Sequence, residues 1–167
     1  MNGCKQQILN TIPSNSCCSH AFLCAVIDFC GFVDTENNRL LLNADNQICE
    51  KVTKIVNNFY PTAIVNSWKD FLLITGDIKT ILVDCNIDEF PNYALFESEC
   101  DKLTLLKTIF LICGNFYCEL DSSQNSKGYH LEFFIKQERQ SVLQNLLKEF
   151  NFDFKSKQRQ NGIVFYN

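Results

Sequence analysis

Three basic residues near the end of the sequence have the spacing of a strand that could bind phosphates. Lys155, Lys157 and Arg159 alternate with uncharged residues, so on a β-strand their side chains project from one face at intervals of about 7 Å. This interval approximates the spacing of phosphates along one strand of DNA, a backbone that proteins bind largely through Lys and Arg. The pattern therefore predicts a nucleic-acid contact, although it is also typical of the solvated side of a sheet.

A second polar segment, Lys127-Gly-Tyr-His-Leu-Glu132, could extend that contact. Its histidine and glutamate could form an acid/base pair, but no nucleophile or metal cluster accompanies them, and a structural cross-strand pair is the favoured interpretation. In the first half of the chain, Arg39 and Lys69 could extend the face further. No catalytic residue is predicted, and the predicted DNA-binding residues are Lys127, His130, Lys155, Lys157, Arg159, Arg39 and Lys69.

The charge of the chain restricts where such a contact can lie. The net charge is −4. Residues 1–100 hold 6 Lys/Arg and 12 Asp/Glu, whereas residues 101–167 hold 9 and 7. Because phosphate affinity depends on local cations, any nucleic-acid face is expected to be local and to lie in the second half.

Ten cysteines could form disulfides, hold a metal or supply a nucleophile. The sequence has no CxxC pair and only two histidines, and no signal peptide is predicted. These observations argue against disulfides, a metal site and a nucleophile, and favour buried thiols. Cys24, Cys30 and Cys113 lie in apolar runs, where a free thiol behaves as a small hydrophobe. A nucleophilic Cys17 or Cys118 would need a neighbouring base that the sequence does not show. We predict no metal, no cofactor and a reducing cytoplasm, and no apolar run reaches the roughly 18 residues that span a membrane.

The elements that must position these residues occur twice. Cys18–Gly31 and Asp101–Gly114 are apolar nearly all round, end in Cys-Gly and follow a cysteine. A short helix that is apolar on every side is buried on every side. Each is followed by a predicted hairpin, an amphipathic helix and another hairpin, the last of them combining residues 152–158 and 162–166. The chain is therefore predicted to be α+β, with two αββαββ repeats, 1–99 and 100–167, in one pseudo-symmetric domain.

Two further helices are predicted, over residues 5–12 and 77–86, with an irregular connector at 88–91. Consecutive hairpins form antiparallel sheets, and helices cover one face of each sheet. The other face is left open to a partner.

This order of elements resembles the LAGLIDADG homing-endonuclease fold. Leu23–Gly31 aligns without gaps with the nine-residue motif of that fold, and Leu106–Gly114 aligns more weakly. Within the fold, the chain from about residue 5 to residue 167 most resembles the N-terminal region of the WhiA family of bacterial sporulation and cell-division regulators. The segments that carry this closer resemblance are Cys17–Leu23, Leu106–Leu111 and Lys127–Glu132.

The resemblance does not extend to nuclease chemistry. In the endonucleases, the acid before the terminal glycine of each motif holds the divalent metals, and here Cys30 and Cys113 stand at those positions. A thiol is a poor ligand for Mg²⁺, which prefers carboxylate oxygens. Asp28 survives two residues earlier, at a position that is not a metal ligand in the family. We therefore predict that the chain is not an enzyme.

The resemblance also implies a DNA partner. WhiA proteins continue into a helix-turn-helix domain that is implied to read DNA, whereas this sequence ends at Asn167, so that domain is expected to be separate or missing. Ser19-His20 and Asp101-Lys102 stand where Arg-rich pairs are expected. The leading hypothesis is a non-catalytic LAGLIDADG-like domain of a WhiA-type DNA-binding transcriptional regulator, with double-stranded DNA as partner. The alternative, favoured by the acidic first half, is a protein-interaction module that docks a partner or helix-turn-helix domain and has little DNA affinity of its own.

Overall fold

The computed structural model describes residue 1 and residues 3–88, 91–120 and 127–167, with residues 118–120 and 127–129 described by their backbone alone. By compactness, the chain divides into Met1–Thr108 and Ile109–Asn167. The division falls inside the helix Glu99–Cys113, whereas the predicted repeat boundary lies at the start of that helix. None of the described helices is long and apolar enough to cross a lipid bilayer.

The first unit contains one αββαββ repeat, preceded by a short helix and followed by another. Its elements are α1 (Gly3–Asn10), α2 (Ser16–Cys30), β1 (Gly31–Asp34), β2 (Arg39–Asn43), α3 (Asn46–Phe59), β3 (Ile64–Trp68), β4 (Phe71–Thr75), α4 (Ile78–Asp84) and the first part of α5 (Glu99–Cys113). The strands form an antiparallel sheet in the order β1-β2-β4-β3. One face of this sheet is buried through Leu40, Leu42, Leu72 and Ile74, whose exposure is 0%.

The motif helix α2 begins at Ser16, two residues before the predicted start at Cys18, and ends at Cys30, directly before the predicted terminal glycine. The side chain of Asn15 accepts a hydrogen bond from the backbone N–H of Cys18 and so caps the first turn. The middle of the helix, from Ala21 to Ile27, is buried throughout. The helix ends at Gly31, where a Cβ atom would collide with the carbonyl oxygen of Ile27. Glycine is therefore required for the chain to turn directly from the helix into β1.

The second unit repeats the same order with its own strands. The elements are the last part of α5, β5 (Gly114–Leu120), β6 (Lys127–Ile135), α6 (Gln140–Glu149), β7 (Lys155–Arg159) and β8 (Gly162–Tyr166). They form an antiparallel sheet in the order β5-β6-β8-β7. Its buried face contains Phe133, Ile135, Ile163 and Phe165. The ring of Phe133 packs edge-on against those of Phe110 and Phe154, with ring centroids 5.6 Å apart in each pair.

The predicted α+β class, with paired αββαββ repeats and helices on one face of antiparallel sheets, is confirmed. The last hairpin differs in its start: β7 begins at Lys155, not at residue 152. The reason is the end of α6, where Asn151 has a left-handed φ of 56° and the N–H of Phe152 donates to Leu147 O at 2.8 Å. This cap uses residues that would otherwise extend the strand. Residues 89 and 90 of the predicted connector and residues 121–126, which join β5 to β6, lie outside the described residues.

Candidate nucleic-acid interface

The strand register of the second sheet decides which side chains share its open face. Phe133 pairs with Phe165 and both are buried. Because side chains alternate along a strand, the neighbours of these residues project from the other face. Lys155 pairs with Tyr166, Lys157 with Val164, and Arg159 with Gly162. The basic residues of β7 therefore lie on the open face, together with His130, Glu132, Phe134 and Tyr166.

The predicted cations of β7 come together as expected from the alternation. Every residue of β7 is exposed, and the strand lies at the edge of its sheet. Within the part of the chain that the structure describes, none of Lys155, Lys157 and Arg159 forms a salt bridge. Their charges are therefore available to an anionic partner. We call His130, Lys155, Lys157 and Arg159 the basic face.

His130 lies on β6, separated from β7 by β8 in the same sheet, and its ring has several partners. Its Nδ1 lies 3.0 Å from the carbonyl oxygen of Asn167, and because that oxygen can only accept, Nδ1 carries the proton. The ring also lies between those of Tyr117 and Tyr166, at centroid distances of 6.2 and 6.3 Å. This bond leaves Nε2 for another partner. The predicted residue Lys127 pairs through its backbone with Leu120, and its side chain lies outside the described residues.

The other two predicted residues lie on the first sheet, in different surroundings. Arg39 pairs with Thr75 and has its Nε 3.8 Å from Oδ2 of Asp34. Hydrogen bonds from Asn37, and less strongly the charge of Arg39, hold the pKa of Asp34 below its usual value. Lys69 is exposed in the turn between β3 and β4, with a left-handed φ of 49°. The charge of Arg39 is thus already partly compensated within its own hairpin.

The open face of the first sheet is mainly apolar. Leu41 lies opposite Phe32 and Leu73, and Trp68 lies opposite Phe71. We call the five large exposed side chains of this surface the apolar face; they are Phe32 (67% exposed), Ile64 (63%), Trp68 (57%), Phe71 (45%) and Leu41 (38%). The only sequence signal for this surface is that the outward residues of these strands are apolar as well as the inward ones. Apolar residues are also expected in any strand from strand propensity alone, so this signal did not lead to a predicted apolar surface.

The ends of the motif helices contain no carboxylate before the glycine. Cys30 and Cys113 are half-buried at those positions. Asp28 is engaged elsewhere, since Tyr93 Oη donates a hydrogen bond of 2.6 Å to its Oδ2. Cys24, one turn earlier, is buried, and burial raises the pKa of its thiol. A thiol held protonated in this way is a poor nucleophile and a poor ligand.

A different cluster lies at the beginning of the motif helices. Cys17 and Cys18 are in the first turn of α2, and Cys100 and Asp101 are in the first turn of α5. Ligand atoms of Cys17, Cys18 and Asp101 lie within 4.8 Å of one another, and among the described residues this is the group of His, Cys, Asp and Glu close enough to share a metal ion. The hydrogen bond to Asp101 raises the pKa of Cys17, and burial raises that of Cys18. No short-range motif announces this cluster, because its members come from distant parts of the sequence.

The sequence is similar to those of WhiA proteins. No model of a known protein family matches the chain. The chain is 26% identical to the Probable cell division protein WhiA of Caldicellulosiruptor saccharolyticus, over 97% of the chain and 56% of the relative. It is 24% identical to the protein of the same name from Caldicellulosiruptor bescii, over 97% and 56%. The chain thus spans about half the length of the curated relatives it matches.

Comparisons by structure give the same fold. Full-length DUF199/WhiA from Thermatoga maritima superposes with a TM-score of 0.66 at 15% identity, over 97% of this chain and 54% of that one. The N-terminal LAGLIDADG domain of DUF199/WhiA gives 0.61 at 16% identity, over 97% and 80%. The LAGLIDADG meganuclease I-AabMI, solved bound to uncleaved DNA, gives 0.57 at 12% identity, over 88% and 78%. The chain therefore has the LAGLIDADG-type α+β fold, and along nearly its whole length it is similar to WhiA proteins.

Proposed function

We propose that this chain is the non-catalytic LAGLIDADG-like part of a WhiA-type DNA-binding regulator of sporulation or cell division, and that it contacts the DNA backbone through the basic face. The observation that carries the proposal is the register of β7, which sets Lys155, Lys157 and Arg159 on one exposed face. The similar meganuclease I-AabMI was solved bound to DNA, so this fold can hold a duplex.

The physical basis of the contact is neutralisation of phosphates. Each cation that contacts a phosphate releases condensed counterions. Each such contact therefore lowers the logarithm of the binding constant by about 0.9 for every tenfold rise in salt concentration. Three aligned cations and His130 give a modest contact of this kind. Such a contact positions a protein on the duplex without reading its sequence. The chain therefore supports DNA binding while sequence recognition comes from another domain.

The non-catalytic part of the proposal rests on the motif-helix ends. Cleavage of a phosphodiester with divalent metals requires hard oxygen ligands, and Cys30 and Cys113 precede the glycines at positions where the resemblance to the homing endonucleases implies acids. The nearby carboxylate of Asp28 accepts a hydrogen bond from Tyr93. We expect the protein with Mg²⁺ to leave plasmid DNA intact. The non-catalytic part of the proposal would be contradicted if the wild type nicks the plasmid and Asp28→Ala abolishes the nicking.

The binding part is tested by charge reversal on the basic face. Lys155→Glu with Lys157→Glu should weaken binding to duplex DNA by about tenfold or more and lower the salt slope by about 2. The matched control is Lys54→Glu with Lys79→Glu, which makes the same charge change on exposed positions of α3 and α4. Fluorescence anisotropy at several salt concentrations measures both. Equal weakening in the two double variants would show a general charge effect and reject the basic face as the site.

A second candidate function is favoured by the apolar face. Contiguous exposed apolar patches are unusual on a soluble monomer and typically mark an interaction site, and five large side chains are exposed here. In this alternative the chain docks a protein partner, such as a helix-turn-helix domain, and has little DNA affinity of its own. A WhiA helix-turn-helix domain added as a separate polypeptide tests it by calorimetry. This function is favoured over the first if the wild type binds the helix-turn-helix domain, the Ile64→Ser/Trp68→Ser double variant does not, and the wild type binds DNA negligibly.

A further inference from the structure

The thiol and carboxylate cluster in the first turns of α2 and α5 has the composition of a metal site. Cys17, Cys18 and Asp101 offer ligand atoms within 4.8 Å of one another. Cys100 adds a third sulfur, with its Sγ 2.6 Å from that of Cys18. All four residues belong to the first compact unit. The cluster therefore contains three potential sulfur ligands and one potential oxygen ligand.

Two equivalent helix beginnings build this cluster. In α2, Asn15 Oδ1 accepts from the N–H of Cys18, and in α5, Ser98 Oγ accepts from the N–H of Asp101. The pairs Cys17-Cys18 and Cys100-Asp101 thus occupy the same two positions of a capped first turn. Because the caps fix these turns, the backbone holds the four side chains near one another without help from a ligand.

One oxygen of the cluster lacks a partner. Asp101 is only 7% exposed, and its Oδ1 is buried without a hydrogen bond among the described residues. A buried carboxylate oxygen that makes no bond is costly, so such atoms usually have a counterion or a ligand. This atom is separate evidence for a ligand, in addition to the grouping of the thiols.

We propose that Cys17, Cys18, Cys100 and Asp101 bind one Zn²⁺ ion at a structural site that joins the beginnings of α2 and α5. Zinc accepts thiolate and carboxylate ligands in a tetrahedral arrangement, with neighbouring ligand atoms about 3.8 Å apart when the Zn–S bonds are about 2.3 Å. The sulfur-rich ligand set selects zinc over Mg²⁺ or Ca²⁺, which prefer oxygen.

Three of the four ligands need only small changes to reach this arrangement. Cys17, Cys18 and Asp101 must approach one another by about an ångström or less. The sulfur of Cys100 does not lie within 4.8 Å of all three of these ligand atoms, so the exposed side chain of Cys100 must turn away from Cys18 and toward the others. Three thiolates and one carboxylate around a dication leave a negative site, which the partial positive charge at the N-termini of α2 and α5 offsets.

The test uses the full chain, kept reduced and stripped of metal with a chelator. Titration with Co²⁺ should give one ion per chain, with thiolate-to-cobalt charge-transfer absorption and the intense d–d bands of a tetrahedral ion, and one equivalent of Zn²⁺ should abolish both. Cys17→Ser and Cys100→Ser change exposed residues and should fold. Each should weaken Zn²⁺ binding by more than about 100-fold, the upper range for loss of an outer-shell partner. Cys4→Ser, a half-buried cysteine outside the cluster, is the matched control and should bind as the wild type does.

Two results would overturn the proposal. One is Co²⁺ binding that is absent from the wild type or unchanged in both Cys17→Ser and Cys100→Ser. The other is a Cys18–Cys100 disulfide, found by mass spectrometry in protein purified without reductant, together with no metal binding after reduction. In that case the short sulfur contact belongs to a redox pair and not to a metal site.

Discussion

The two sheets share a topology but present different open faces. In both, the two central strands (β2 and β4, or β6 and β8) carry inward leucine, isoleucine or phenylalanine residues that are buried. Outward, the first sheet presents the apolar face, and the second presents the basic face. Since the strand order is the same in both sheets, the difference comes entirely from alternate positions in the strands. Inward residues maintain the fold in both sheets, whereas the outward residues differ in chemical type between them.

The largest expected effect is on the free energy of unfolding, when an inward and an outward residue of the same strand are each replaced by alanine. Phe133 is 2% exposed and Phe134 is 45% exposed. Phe133→Ala should lower the free energy of unfolding by about 3–5 kcal/mol, because it removes a buried ring and leaves a cavity. Phe134→Ala should cost less than about 1 kcal/mol. Urea unfolding followed by circular dichroism measures both, and equal losses would refute the assignment of inward and outward faces.

The next effect concerns the partner of the apolar face. The chain has a single tryptophan, Trp68, and it is 57% exposed on that face. A protein that docks there should shift the tryptophan emission to shorter wavelength, because the indole leaves water. Duplex DNA bound at the basic face should leave the emission maximum unchanged. A DNA-induced shift of the same size would show that DNA contacts the first sheet, and the comparison of the two faces would then fail.

A smaller effect follows from the hydrogen bonds around Asp34. The folded-state pKa of this carboxyl lies below its usual value of 3.8, mainly through Asn37 and less through Arg39. A depressed pKa stabilises the fold above pH 3.8, and this contribution is lost as the pH falls through the folded value. In an NMR titration, Asn37→Ala should raise the midpoint of Asp34 more than Arg39→Ala does. The reverse order would mean that the ion pair with Arg39 dominates.

Much of the fold follows from local patterns in the sequence. Each motif helix is followed by a hairpin, an amphipathic helix and another hairpin, as the sequence predicts. The start of β7 did not follow, because the left-handed Asn151 and the cap at the end of α6 depend on backbone geometry. Asparagine tolerates that conformation, but its presence does not announce it.

The sites were less accessible from the sequence, for two physical reasons. Cys18 and Cys100 are separated by 82 positions, and only the packing of α2 beside the first turn of α5 brings them together. Arg39 and Lys69 were grouped with the basic residues by type, but their setting depends on the neighbours that strand pairing gives them. The β7 cations were predictable because a single strand and its period suffice to align them.

The salt dependence of DNA binding tests the central contrast most directly. The two double variants to compare are Lys155→Glu with Lys157→Glu on the second sheet and Arg39→Glu with Lys69→Glu on the first. We expect the first pair of substitutions to lower the slope of log K against log salt by about 2 and the second pair to change it by less than about 0.5. Equal reductions, or an unchanged slope in the Lys155/Lys157 variant, would contradict the proposal that the basic face of the second sheet carries the DNA contact.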